Sequence, residues 1–200
     1  MGKGLNKVKE GTIITERLPS DRPFVSGEAT GLNGATILDY WQWAYSGIIG
    51  NTERGNLAEF LVSRSLGITT DVRNDWEDFD LITKDGTKIE VKSSAYLQSW
   101  KQDKKYTPRF NIGRTLPTWD YKSATKQRYA DVYVFCLLAH QNKETINPMD
   151  IGQWEFYALR TDEIEREFGD AKSISLKGVR SRSRQYSYSE LSQGIHELMR

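Results

Sequence analysis

WEDFDLITKDGTKIEVKSS, residues 76–94, reads as two alternating runs joined by KDGTK. An Asp-Gly pair between such runs signals a β-hairpin, because glycine adopts the positive φ that a tight turn demands. Asp85 and Gly86 are expected at that turn. Alternation then sorts the side chains: Trp76, Asp78, Asp80 and Ile82 fall on one face, Phe79 and Leu81 on the other. In the second run Lys88, Glu90 and Lys92 share a face, and Ile89 and Val91 share the opposite one. Such a hairpin can bring Asp80, Glu90 and Lys92 to one surface.

Upstream, NTERGNLAEFLVSRSLG (51–67) has helical periodicity, with a cap at Asn51 or Thr52, a stop at Gly67, and Leu57, Ala58, Leu61, Val62 and Leu66 on a broad apolar face. Glu59 falls at the margin of that face, beside Val62, where its carboxylate can reach inward. Downstream, RYADVYVFCLLA (128–139) is almost continuously apolar and β-branched or aromatic, the composition of a strand covered on both faces. A short strand is expected at RFNIG, another strand at QWEFYALR, and a helix capped by Thr161 and stopped by Gly169 over TDEIEREFG. SISL suits a last edge strand, and SYSELSQGIHELMR carries a Ser187–Glu190 capping box that predicts a C-terminal helix. ILDYWQWAYSGIIG packs most simply as a helix with its aromatics in a core. Residues 1–35, rich in Gly, Pro and charge without a sustained period, read as an N-terminal arm or cap, leaving 36–200 as a single domain.

Composition narrows the class. At 200 residues, 38% hydrophobic and 28% charged, the chain suits one soluble α/β domain with a single sizeable core. The net charge of +1 supplies no overall field for nucleic acid or an anionic membrane, so any polyanion must meet a local patch. The single cysteine, Cys136, lies inside the apolar run and reads as a buried structural thiol; it excludes a disulfide framework and a cysteine-based zinc site. The opening MGKGLNKVKEG has no apolar segment for a signal peptide, and no stretch is long enough to cross a bilayer, so a cytoplasmic location is expected.

Acid-any residue-Lys also occurs at Asp103–Lys105, Asp120–Lys122 and Asp170–Lys172, so the tripeptide alone carries little. Only Glu90–Lys92 follows a tight turn, with a carboxylate in the preceding strand and a helical glutamate upstream. The chemical reason for such a grouping is phosphodiester hydrolysis. Mg²⁺ takes one or two carboxylates, keeps several waters and accepts phosphate oxygens, so Asp80 and Glu90 are suitable ligands, with Mn²⁺ as a substitute. The Lys92 ammonium could hold an attacking water and offset charge developing on the phosphate.

On these residues the chain resembles the PD-(D/E)XK nuclease superfamily, the fold of type II restriction endonucleases and of related repair and recombination nucleases. The resemblance runs over about residues 51–160: the helix RGNLAEFLV, the FDL aspartate, the hairpin, the EVK strand and the apolar strand. It implies a restriction-endonuclease-like core, a central mixed β-sheet flanked by helices: a helix, a three-stranded meander, a crossover helix over 120–128 and a further parallel strand. It implies Glu59, Asp80, Glu90 and Lys92 as the catalytic set, and a Mg²⁺-dependent endodeoxyribonuclease of restriction type. A DNA-binding module of the same fold without catalysis, and a repair or recombination nuclease, are the alternatives. Phe79 stands where the motif has Pro; Asp78 and Gln98 are candidate additions to the site.

DNA is the expected partner. Residues 98–128 hold eight basic residues, among them Lys101, Lys104, Lys105, Arg109 and Arg114, against Asp103 and Asp120. A second cluster, Lys172, Lys177, Arg180, Arg182 and Arg184, has no acid between 171 and 184. A homodimer is a natural arrangement for a symmetric double-strand cut.

Overall fold

A computed structural model of the chain describes residues 17–26, 29–68, 72–73, 76–118 and 125–200. They fall into two compact units, residues 1–44 with 70–73 and residues 45–69 with 74–200.

In the first unit β1 (Val25–Ser26) and β2 (Ala29–Thr30) form a short antiparallel pair, and α1 (Ile37–Tyr45) follows. The Asp39 carboxylate accepts hydrogen bonds from Thr36 N at 2.6 Å and Thr36 Oγ1 at 2.7 Å, so the helix starts on local grounds. Its aromatics are not core: α1 has no buried residue, and Trp43 is 84% exposed.

The second unit is built on a four-stranded mixed sheet in the order β3 (Leu81–Ile82), β4 (Lys88–Ala95), β6 (Val132–Leu138), β7 (Trp154–Arg160). β3 and β4 are the expected hairpin, antiparallel with Leu81 opposite Ile89; Gly86 at the turn has φ +90°. β4 and β6 run parallel, and β6 and β7 antiparallel. Every residue of β6 is buried, as its unbroken apolar run requires. The α/β class with a mixed sheet between helices is thus observed.

The two sheet faces bury different partners. Ile89, Val91, Val132, Val134, Cys136, Phe156 and Ala158 pack with Ala58, Leu61 and Val62 of α2 (Asn51–Ser65) and with Leu191 and Ile195 of α5 (Tyr188–Leu198). Tyr133, Phe135, Leu137, Tyr157 and Leu159 pack on the other side with Ile164 of α3 (Thr161–Phe168) and Val179 of α4 (Leu176–Arg180). The same cluster takes Phe110 of β5 (Arg109–Asn111) and Ile174 of β8 (Ser173–Ser175).

Several local expectations change. Only Leu81–Ile82 of the first run are strand, so the alternation does not extend back to Trp76. The crossover from β4 to β6 carries β5, and the described end of the expected crossover helix, 125–128, is not helical, with Gln127 bridging Thr115; residues 120–124 lie outside the described set. β8 pairs with β5 in a separate ribbon, because Ile174 and Phe110 reach the core only together. The Ser187–Glu190 capping box of α5 forms as expected. α2 instead has Gly50 at its cap, with the Asn51 side chain accepting from Arg54 Nη2 at 2.7 Å. Thr161 is the first residue of α3; its hydroxyl donates to Ala130 O at 2.5 Å, and Arg160 occupies the cap. Among the described residues no helix is long and apolar enough to cross a membrane.

Candidate active site

β3 is two residues long because the chain before it pairs through a side chain. Asp80 N donates to Ile89 O at 3.0 Å, continuing the ladder by one bond. The Asp80 carboxylate then turns back, and Oδ2 accepts from Val91 N at 2.7 Å. A carboxylate thus takes the position of a strand carbonyl, as short acidic side chains can. This ends the pairing and fixes Asp80 at the edge of β4.

On β4, alternation separates function from packing. Ile89 and Val91 are buried toward α2, so Glu90 and Lys92 point to the other face, where their side chains are 18% and 27% exposed. Lys92 Nζ donates to Glu90 Oε1 in a close ion pair. The parallel register sets Tyr133 of β6 beside Glu90 and Phe135 beside Lys92.

Tyr133 reports on both carboxylates. Its phenol is pushed well above the usual tyrosine range, first by burial, then by the charge of Glu90; Asp80 and Glu165 add to the effect, and Arg128 opposes it. Asp80 and Glu90 therefore lie within electrostatic reach of one phenol. Among the described residues no group of three or more His, Cys, Asp or Glu side chains gathers as a metal cage. A pair of carboxylates beside open solvent is instead the donor set that suits Mg²⁺, which keeps most of its waters.

Glu59 sits differently. It is carried by α2, which covers the opposite sheet face from Glu90 and Lys92. Burial first, and the charge of Glu59 second, raise the Cys136 thiol, which is buried in the sheet as its apolar run led one to expect. α2 is held there partly by Arg54, a buried guanidinium that donates to Ile49 O at 3.0 Å and to Ser93 Oγ of β4 at 3.3 Å. Desolvation lowers the Arg54 pKa. The two candidate additions have structural work: Asp78 Oδ1 accepts from Thr118 N and Oγ1, each at 2.7 Å, and buried Gln98 donates to Ala95 O at 2.9 Å.

The basic residues divide into two groups. Lys101, Lys104 and Lys105 are exposed and make no ion pair among the described residues. Lys104 and Lys105 line an open cleft of about 520 Å³ with Tyr96, Tyr106 and Lys143. Tyr96 packs with the cluster under the Glu90 face, so this cleft adjoins the same side of the sheet. Arg109 donates to Ser173 Oγ at 2.9 Å and, with Arg114, Lys126 and Lys172, lines a second cleft of about 610 Å³. Arg114 is already engaged by Glu165 and Asp170. Arg180 pairs with Glu155 at 2.6 Å, Arg182 with Glu167 at 3.3 Å and Arg184 with Glu190 at 3.3 Å. Arg128, one of the eight basic residues after the hairpin, is buried; it pairs with Glu165 at 2.7 Å and donates to Ile112 O at 2.7 Å.

Sequence reading missed Tyr133 because a tyrosine within an apolar strand looks like core; only the strand register puts it beside Glu90. Among comparisons with known proteins, the family model described as bacteriophage T4 endonuclease IV matches residues 42–178. The matched span takes in α2, the hairpin, β4, β6 and β7, and stops before Arg180. No curated protein matches the chain at a significant level.

Proposed function

This chain belongs to the bacteriophage T4 endonuclease IV family, and from that premise we propose that it is a Mg²⁺-dependent endodeoxyribonuclease of PD-(D/E)XK type with a restriction-like role. The observation that carries the reading is the Asp80 carboxylate held on Val91 N, next to Glu90 on β4, with Lys92 on the same strand face as Glu90. Asp80 and Glu90 would hold the metal, and the residues fit: two carboxylates leave Mg²⁺ room for water and phosphate oxygens. Bound there, the metal supplies charge for the phosphate and a more acidic water. Lys92 holds the attacking water and offsets negative charge that grows on the phosphate as one P–O bond forms and another breaks. The leaving oxygen takes up a proton, and one phosphodiester is hydrolysed per site. Glu59, kept in the layer on the far side of the sheet, is the member of the set whose loss costs least.

Lys101, Lys104 and Lys105, exposed beside this face, serve as the principal phosphate contacts, and each neutralised phosphate releases counterions. A symmetric double-strand cut would use a second copy of the chain. The Glu90–Lys92 ion pair is also what a strand face without chemistry would show, and it keeps the binding-only alternative in play. The deciding experiment incubates the purified chain with plasmid and oligonucleotide DNA in Mg²⁺, Mn²⁺ or Ca²⁺. Cleavage in Mg²⁺ and Mn²⁺ with binding but no cleavage in Ca²⁺ is expected; binding in all three without cleavage would leave a DNA-binding module.

A further inference from the structure

Tyr133 is the one hydroxyl-bearing side chain of β6, a strand otherwise made of Val, Phe, Cys and Leu. It is 4% exposed, and its ring stacks on Phe135 with centroids 6.2 Å apart. Among the described residues its hydroxyl has no hydrogen-bond partner. The hydroxyl is not among the enclosed polar atoms that lack a partner, so it holds what remains of the residue's exposure and opens to solvent. Phenylalanine fills the corresponding space at position 135. A donor that has no partner among the described residues and reaches solvent is open to an acceptor that arrives from outside.

The surroundings narrow that partner. Tyr133 lies beside Glu90 in the parallel register, within reach of the Asp80 charge, and on the face from which Lys92 projects. The two carboxylates have nearer donors, Val91 N for Asp80 and the Lys92 ammonium for Glu90. The incoming acceptor is therefore an oxygen that this set of residues draws in. We propose that Tyr133 is a further residue of the site, its phenol donating a hydrogen bond to a non-bridging oxygen of the scissile phosphate. This rests on the nuclease reading above. A neutral donor suits the position: it adds no charge to the pair of carboxylates, and its hydrogen bond strengthens as the phosphate oxygen gains charge.

Tyr133→Phe deletes one hydroxyl and leaves the ring in its core. The variant and the native chain are compared on a DNA that the native chain cuts, by single-turnover cleavage in Mg²⁺, DNA binding in Ca²⁺, metal calorimetry and thermal melting. A native chain that cuts no DNA with any metal removes the nuclease reading itself, and the proposal with it. Given native cleavage, Tyr133→Phe is expected to cut roughly 10- to 100-fold more slowly, at or below what one preorganised donor supplies. Its Tm should be unchanged or raised, and its metal and DNA affinities native. Substrates with one sulfur in place of either non-bridging oxygen sharpen the assignment. The sulfur penalty at one diastereomer should shrink in the variant, since sulfur is the poorer acceptor and the donor is gone. Native-rate cleavage, an equal loss on both diastereomers, weakened metal binding or a lowered Tm would each overturn the proposal, the last three by making the hydroxyl a support for Glu90 or for the fold.

Discussion

Two stretches of this chain are dense in charge, and the fold treats them oppositely. Around 155–190, each of Arg180, Arg182 and Arg184 meets a carboxylate from another part of the chain. Deeper in, Glu165 binds both Arg114 and the buried Arg128. Around 80–106, Asp80 and Glu90 lie near one phenol with one ammonium in contact on Glu90, and Lys101, Lys104 and Lys105 make no ion pair among the described residues. Charge that neutralises itself holds elements together. Exposed cations without an ion pair are what remain to meet a phosphate.

If that contrast is functional, the largest effects come from the strand carboxylates. Asp80→Ala and Glu90→Ala are each expected to abolish metal binding in calorimetry and to lower single-turnover cleavage by at least the roughly 10²–10³-fold of one electrostatic contributor. Asp80→Ala also frees Val91 N, so its Tm should fall more than that of Glu90→Ala.

Lys92→Met comes next. It keeps the stem volume and removes the ammonium, so folding should survive while cleavage falls by about 10²-fold and DNA binding in Ca²⁺ stays near native. Near-native cleavage would return the Glu90–Lys92 pair to an ordinary strand ion pair.

The neutralised region should answer in stability instead. Glu165→Gln leaves the buried Arg128 guanidinium without its counter-charge and is expected to cost about 1–3 kcal/mol in urea unfolding at neutral pH, with cleavage per folded molecule unchanged. Arg114 foremost, then Arg128, holds the Glu165 carboxyl below its usual range. Its stabilisation is thus complete above the ordinary carboxylate pKa, near 4.3, and is lost as pH falls through the depressed value. The gap between native chain and variant should therefore close on acidification below about pH 4.

The smallest effect separates the two basic clusters directly. Replacing Lys101, Lys104 and Lys105 together by Ala should flatten the dependence of log DNA affinity on log salt by about one unit per lost contact. Replacing Arg180, Arg182 and Arg184 together should lower Tm and change that slope less. Equal slope changes would show that ion-paired arginines exchange their partners for phosphate as readily as free lysines bind it.

How much of this could be read in advance varied with the range of the interaction. The hairpin turn, the α5 capping box and the buried β6 strand were legible because turn chemistry, capping and an apolar run act over a few residues. The aromatic stretch of α1 misled, since its sequence sets the helix but not what covers it. The arginines at 180–184 looked unopposed because their acids, Glu155, Glu167 and Glu190, lie outside that stretch of sequence.

The sequence alone determined the hairpin, the alternation that puts Glu90 and Lys92 on one face, and the α/β class, since periodicity and propensity are local. Tertiary structure alone decided which groups keep them company. Strand order and the parallel register brought Tyr133 beside Glu90; layer packing put the helix of Glu59 on the far face; and long-range pairing set which cations are spent and which are left. Register and layer order arise from burying both faces of one sheet at once, a condition on the whole chain that no short segment encodes.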